Sequence, residues 1–272
     1  MNRLTAILIG LFISAGSIGQ IHYKQSSISL SSQVQQFKFL DIHSSPLLYQ
    51  TDFLPSLSLG YHHQTEKSFF CIRLTGSTGN INPERFGSRH YASAGNPLPD
   101  SLTVSSAFAS VQFETAYVRK LRHTKNKNLS FWLGGQVKES AYYADEVANF
   151  PWLMNDLSIS PFFKTMYSKK KNSFVVELGI SALSLVSRET YALFPKSATD
   201  NNVVSFFKQG TRLSTIQAFQ HLNFAANYIY TLSNRIQLGA TYQLQWLHYN
   251  YPKRVQAADT RMGLLVNYIF HN

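Results

Sequence analysis

The chain has 272 residues, of which 44% are hydrophobic, 14% aromatic and 14% charged, and its formal net charge is +11. This composition is too apolar and too aromatic for a disordered chain. The 15 Tyr and 20 Phe favour strands over a helical bundle, because aromatic side chains suit pleated, half-buried surfaces. The single cysteine, Cys71, excludes an internal disulfide and a multi-cysteine metal site. We therefore expect a β-rich protein with no metal and no cofactor.

The first segment, residues 1–19, has the three-part order of a secretory signal peptide. Arg3 precedes an apolar run over residues 4–13, and small residues follow up to Gly19. Cleavage after Gly19 would leave residues 20–272 as the mature chain and as a single domain. The alternative is a short transmembrane anchor, which needs about 20 apolar residues. The sequence therefore predicts an exported protein.

Apolar residues alternate with polar or mixed residues along the mature chain, which is the period of a β-strand. The clearest run is 236–246, where apolar and polar or small residues alternate without exception. Together with weaker runs it predicts strands near 26–39, 54–63, 70–75, 103–119, 130–138, 154–167, 173–187, 213–230, 236–246 and 259–270. Within 154–167, Pro161 cannot donate to a ladder and predicts a bulge or a later start.

The predicted links alternate strictly between short and long. Short links lie at 64–68, 121–128, 168–172 and 233–234, and long links lie at about 40–53, 77–102, 141–153, 188–212 and 249–258. This alternation is typical of outer-membrane barrels, which have short periplasmic turns and longer external loops. We therefore predict an all-β fold, namely a single antiparallel up-and-down transmembrane β-barrel of about ten strands, roughly eight to twelve, with both termini on the short-turn side.

Aromatic residues lie near both ends of the predicted strands, as in the two girdles of a membrane barrel. The alternative is that they fill a soluble β core. Those near the short turns are Tyr117, Tyr167, Phe174, Tyr228 and Tyr230, and those near the long links are Tyr142, Tyr143, Trp246 and Tyr249.

The end of the chain carries a resemblance to a family. Five apolar residues alternate there and stop two residues before the terminus: Met262, Leu264, Val266, Tyr268 and Phe270. This run resembles the terminal strand of Gram-negative outer-membrane barrels. With Gln20 after a small-residue cleavage site, the layout resembles the Bacteroidota-type outer-membrane barrels of uncharacterised function. The resemblance implies a location in the bacterial outer membrane.

The basic residues are dispersed along the chain, which argues against a nucleic-acid partner. On the loop side they would meet lipopolysaccharide phosphates, and on the turn side anionic outer-membrane lipid or an envelope protein partner. Solvated edges are the alternative reading. The loop-side set is Arg85, Arg89, Lys196, Lys208, Arg212, Lys253 and Arg254, and the turn-side set is Lys67, Arg119, Lys120, Arg122, Lys125, Lys127, Lys169, Lys170 and Lys171.

Five charged residues are predicted to face the lumen: Arg73, Glu114, Lys138, Lys164 and Glu177. Because buried charges need partners, they predict a salt-bridge network across a narrow lumen in preference to a catalytic group. Candidate hydrolase residues at the loop-side rim have no diagnostic spacing, so no catalytic residue is assigned. These rim candidates are His90, Asp100, Asp145, Glu146, Asp200 and Asp259.

Three function classes remain. A structural or interaction barrel of the cell envelope is favoured by the narrow size and the lack of motifs. A narrow small-solute channel is the alternative. A conductance measurement would separate the two, because barrels of about eight strands tend to be filled by side chains whereas much wider ones leave a channel. An outer-membrane hydrolase is the third class.

Overall fold

The structure is a computed structural model that describes residues 25–87, 89–92, 101–104, 106–121, 128–147, 150–188 and 202–270. The predicted signal peptide and its cleavage site lie outside the described residues. The strands are β1 (Gln25–Asp41), β2 (Ser45–Thr51), β3 (Leu54–Gln64), β4 (Ser68–Pro83), β5 (Arg89–Ala92), β6 (Ser101–Val104), β7 (Ser106–Lys120), β8 (Leu129–Val147), β9 (Phe150–Lys169), β10 (Asn172–Ile180), β11 (Leu183–Arg188), β12 (Thr211–Thr215), β13 (Phe219–Thr231), β14 (Ile236–Tyr249) and β15 (Val255–Phe270). A helix, α1, spans Asn202–Gly210.

The strands form a closed antiparallel barrel with ten positions around its circumference. Three positions are each built from two successive strands, β2 with β3, β10 with β11, and β12 with β13. The last strand, β15, pairs with β1 from Ser26↔Phe270 to Asp41↔Val255, and this pairing closes the barrel. Strands β5 and β6 form a separate hairpin. The predicted fold class is confirmed.

The strands are longer at one end of the barrel than the sequence predicts. The end that carries both termini of the barrel and the short turns is called the turn end, and the other is the loop end. Strands β8 and β9 have 19 and 20 residues, whereas about 9–11 residues cross a membrane. The predicted long link 40–53 is therefore wrong in part: it contains β2 and a tight turn at 42–44. Its residues continue the strand because their inward side chains pack in the lumen.

Pro161 lies within β9, so the prediction of a later strand start is wrong. The residues of β9 up to Ile159 pair with β11, and those from Phe162 onward pair with β10. Pro161 therefore lies opposite the interruption between β10 and β11. A missing N–H is tolerated at such a point because the ladder is already broken there.

The outer surface of the barrel changes polarity along the strands. On β1, the outward residues Ile28, Leu30 and Val34 in the half near the turn end are 41%, 48% and 45% exposed. In the half near the loop end, the outward positions of β1 include Gln36 and Lys38. The same change occurs along β15, from Met262 and Leu264 to Thr260 and Gln256, and along β8. The turn half thus has a wide exposed apolar belt, which is a mark of contact with a membrane or a partner.

Exposed aromatic residues surround the turn end. Of the predicted set, Tyr117, Tyr167, Phe174 and Tyr230 are exposed, whereas Tyr228 is half-buried. Three exposed residues that were not predicted lie there too, namely Tyr61, Tyr268 and Phe270. Near the loop end, Tyr143 and Trp246 are also exposed. Tyr142 and Tyr249, by contrast, are 2% and 1% exposed. The assignment of these two to a girdle is wrong, because the strand alternation turns them inward. The helix that the structure describes is not long and apolar enough to span a membrane.

Candidate functional site: the barrel lumen

The lumen holds a charge cluster in the turn half of the barrel. Arg73 on β4 contacts Glu114 on β7 at 3.5 Å and Glu177 on β10 at 3.4 Å. Lys164 on β9 contacts Glu177 at 3.0 Å, and its Nζ lies 3.3 Å from the centre of the Phe69 ring. The structure thus places four of the five predicted lumen residues in one linked cluster, which crosses the lumen.

Lys138 lies just above this cluster and is 2% exposed. Its ammonium group donates a hydrogen bond to Asn223 Oδ1 on β13. Lys138 also lines a small gap together with Glu114 and Arg73. It therefore adds a fifth charge to the same part of the lumen, but its direct partner among the described residues is an uncharged amide.

Below the charge cluster, the lumen widens into a cavity of about 660 Å³. The lining reaches the turn residues Lys170, Lys171 and Asn234, so the cavity opens at the turn end. Arg73, Lys164 and other inward residues of the turn half form its walls and inner end. This cavity is referred to as the turn-end cavity.

Above the charge cluster lies a layer of paired polar side chains. Gln112 and Gln245 exchange two hydrogen bonds of 3.1 and 2.9 Å across the lumen. Arg261 contacts Asp259 at 2.6 Å, and His221 Nδ1 lies 3.1 Å from Asp156 Oδ1. Each of these residues is at most 7% exposed. Pairing of this kind is required where charges and amides are removed from water.

The loop half of the lumen is filled by an aromatic plug, made of Phe37, Phe39, Tyr49, Phe108, Tyr142, Trp152, Phe219 and Tyr249. The ring of Phe39 stacks on Trp152 at 4.2 Å, and Phe37 stacks on Phe108 at 4.9 Å. Aliphatic residues complete the cluster, so that all ten barrel positions contribute to it. The plug closes the lumen, because close-packed side chains leave few voids as large as a water molecule.

A buried ion pair ties the plug to the last loop-side link. Arg188 contacts the carboxylate of Asp41, and Trp152 Nε1 donates to the same carboxylate at 2.8 Å. The guanidinium of Arg188 also donates to the carbonyl oxygens of Tyr251 and Lys253 at 2.9 and 2.7 Å. This set connects β1, β9 and β11 with the link between β14 and β15.

The two rim candidates for hydrolysis whose side chains the structure describes, Asp145 and Asp259, have different surroundings. Asp259, predicted at the rim, is 2% exposed and lies within the lumen beside Arg261. Asp145 accepts hydrogen bonds from Ser106 Oγ and from the backbone N–H of Ala107. Asp100 and Asp200 lie outside the described residues, as do the side chains of His90 and Glu146. Among the described residues, no three His, Cys, Asp or Glu side chains are grouped to hold a metal ion.

The aromatic plug and the polar layer above the charge cluster were missed by sequence reasoning. The signal was present on β1, where the inward positions read Ser29, Ser31, Gln33, Gln35, Phe37, Phe39 and Asp41. Alternate residues change there from polar to aromatic, which places the polar half of the lumen near the turns. Partners such as Asp156 and His221 are 65 residues apart and have no sequence signal.

No protein-family model matches the chain, and no curated protein matches it. Among solved structures, the outer membrane protease OmpT from Escherichia coli is similar over 93% of this chain and 100% of that one, with a TM-score of 0.52 and 9% identity. The attachment invasion locus protein Ail of Yersinia pestis aligns over 92% of this chain and 100% of that one, at a TM-score of 0.34 and 10% identity. The P. putida toluene transporter TodX aligns over 93% of this chain and 91% of that one, at a TM-score of 0.34 and 8% identity.

The similarity to OmpT shows the fold alone: this chain has the architecture of an outer-membrane β-barrel.

Proposed function

We propose that the protein is an integral barrel of the bacterial outer membrane with a structural or interaction role in the cell envelope, and that it does not conduct small solutes. The observation that carries the proposal is the aromatic plug, which together with the aliphatic residues of the same cluster draws side chains from every barrel position. A conduit needs a continuous water-filled path, and the plug and the paired polar layer below it interrupt that path. The alternative, a narrow channel, would require both layers to rearrange.

The location is supported by the outer surface. The apolar belt of the turn half surrounds a lumen that is polar at the same height, which is the arrangement of a transmembrane barrel. A closed barrel also satisfies every backbone group within lipid. The Bacteroidota type stays a prediction from the last strand.

Lipid and lipopolysaccharide are the partners that we propose for the outer surface. Arg85, Arg212, Lys253 and Arg254 are exposed at the loop end, where guanidinium and ammonium groups suit the phosphates of lipopolysaccharide. Lys67 and Arg119 are exposed at the turn end. They suit anionic head groups or an acidic envelope protein.

Conductance across a planar bilayer tests the proposed role. We expect no stepwise current from the purified full chain, with a general porin as the positive control under the same conditions. Stable current steps from the native protein would contradict the proposal and favour the channel. In parallel, a photo-reactive residue at Lys67 in native envelopes should cross-link to a discrete partner, whereas one at the lipid-facing Leu264 should not.

The orientation is tested by labelling on intact cells in a Cys71→Ser background. We expect Arg85→Cys at the loop end to react with a membrane-impermeant maleimide, and Lys67→Cys to react only after the outer membrane is permeabilised. The reverse order would invert the barrel. Reaction of both only after permeabilisation would contradict insertion in the outer membrane.

A further inference from the structure

We propose that the turn-end cavity is a binding site for a water-soluble ligand that carries an anionic group on a hydroxyl-rich body, such as a sugar phosphate. This goes beyond the proposed role, because a structural barrel needs no ligand. The inference rests on the size of the cavity, on the unequal distribution of charge around its wall, and on polar groups of its wall that have no partner.

The cavity has the size of a ligand site. Its volume of about 660 Å³ falls within the roughly 300–1,000 Å³ that is usual for small-molecule pockets. It lies inside the barrel and its lining includes turn residues, so a ligand enters along the barrel axis and not from the side. This access favours a water-soluble ligand over the head group of a lipid that remains in the membrane.

One side of the cavity is basic. The charged residues of the lining are four cations, Arg73, Lys164, Lys170 and Lys171, and one acid, Glu177. They all belong to β4, β9, β10 or the turn between β9 and β10. Glu114 is not part of the lining but contacts Arg73, so four positive and two negative charges leave a formal excess of two positive charges here. A concave site is where such charges attract anions most strongly.

Arg73 retains donors for a ligand. It has five N–H groups, and two of them reach Glu114 and Glu177 at the long distances of 3.5 and 3.4 Å. The described part of the chain provides no hydrogen-bond partner for the other three. A planar guanidinium with free donors suits bidentate contact with a phosphate or carboxylate.

The opposite side of the cavity is uncharged and polar. Inward residues of β1, β14 and β15 supply only hydroxyl, amide and apolar side chains there, including Ser29, Ser31, Gln237, Thr241 and Asn267. Hydroxyls and amides both donate and accept hydrogen bonds, which matches the hydroxyl groups of a sugar. A polar wall that faces a basic wall therefore favours a ligand with a hydroxyl-rich body as well as an anionic group.

Three residues of this lining have a polar atom with no partner among the described residues: Gln33 Oε1, His62 Nδ1 and Asn267 Oδ1. Each residue already uses its other polar atom, as in the 2.9 Å contact between His62 Nε2 and Ser29 Oγ. Unpaired buried polar atoms are uncommon and call for a partner. A small rotation of these side chains towards a hydroxyl-bearing ligand would satisfy them.

The test measures binding to the full chain folded in detergent, by calorimetry, with trehalose 6-phosphate as the probe and trehalose as its neutral match. We expect trehalose 6-phosphate to bind at least about tenfold more tightly than trehalose, since a charge-assisted contact is roughly twice as strong as a neutral one. The double variant Lys170→Gln/Lys171→Gln should weaken the binding by about fivefold or more. These two residues lie at the exposed mouth, so the fold is kept.

A matched control removes the same charge from short turns that do not line the cavity, in Lys67→Gln/Arg235→Gln. Binding by this control should stay within about twofold of the native value. Equal losses in both double variants would overturn the site, because they would show attraction by the general surface charge. No binding at about 10 mM, ten times above a millimolar Kd, or equal binding of both sugars, would overturn it too. None of these results depends on conductance, so failure of the site is distinguishable from failure of the proposed role.

Discussion

The two halves of the barrel have opposite polarity. In the turn half the outside is apolar and the lumen holds serines, amides and ion pairs around a cavity. In the loop half the outside carries polar residues such as Lys38 and Glu139, and the lumen is filled by the aromatic plug. A single β-ladder therefore passes from the polarity of a membrane protein to that of a water-soluble one.

This difference shows what each solvent requires of the same fold. In the outer-membrane location that we propose, lipid around the turn half offers no gain for burying apolar side chains inside, so the lumen there can be polar and open. Water around the loop half drives apolar side chains inward, and the strands continue well beyond the about 9–11 residues that a membrane needs. The plug is thus a hydrophobic core, whereas the lumen at the turn-end cavity is polar and open.

Among single substitutions, we expect the largest effect on the free energy of unfolding in the plug. Trp152→Ala removes the ring that stacks on Phe39 and the donor to Asp41. We expect a loss of about 3–5 kcal/mol in the free energy of unfolding, as for other buried Trp to Ala changes. Urea unfolding in lipid vesicles measures it. Phe53→Ala is the control, because Phe53 is 78% exposed and its loss should cost under about 0.5 kcal/mol.

The change of outer polarity is tested on one face of one strand. Leu264 in the turn half is 72% exposed, and Thr260 lies on the same outward face of β15 in the loop half. Leu264→Arg should destabilise the inserted barrel by about 2–4 kcal/mol, the cost of Arg near the bilayer midplane, and Thr260→Arg by about 0–1 kcal/mol. Unfolding in lipid vesicles measures the free energies of the two variants. Equal losses would contradict the change of outer polarity between the two halves.

In the charge cluster, Lys164→Met leaves Glu177 with Arg73 as its remaining partner. We expect a loss of about 1–3 kcal/mol, the usual cost of leaving a buried polar group partly unsatisfied. The double variant Lys164→Met/Glu177→Gln should cost less than the sum of the two single changes, because the pair is coupled. Strict additivity of the unfolding free energies would show that the two side chains do not interact.

The smallest effect is expected for the ion pair between Lys38 and Glu84 on the outer surface of the loop half. Their side chains are 38% and 42% exposed, and such pairs contribute about 0–1 kcal/mol. Lys38→Ala should therefore change the free energy of unfolding by less than about 1 kcal/mol, and the difference should vanish in high salt. A salt-independent loss above that value would place this surface in lipid.

Much of the architecture was predictable from the sequence, because the two-residue period of a strand shows directly which side chains share a face. The runs of alternation placed ten strands, and the alternation of link lengths ordered the barrel. The inward positions of Arg73, Glu114, Lys164 and Glu177 follow from the same period. The sequence misplaced the loop-side ends, because neighbouring apolar residues within 40–53 and 141–153, such as Leu47 with Leu48 and Tyr142 with Tyr143, interrupt the alternation.

By itself, then, the sequence determined the barrel, its approximate number of strands and the faces of its strands, since these depend on local alternation. Only the tertiary structure decided which inward residues meet. Arg73 and Glu177 are 104 residues apart, Gln112 and Gln245 are 133 apart, and Asp41 and Arg188 are 147 apart. Their contacts follow from the closure of the barrel and from its register, which bring distant strands to one height across the lumen, and no period within a strand records that height.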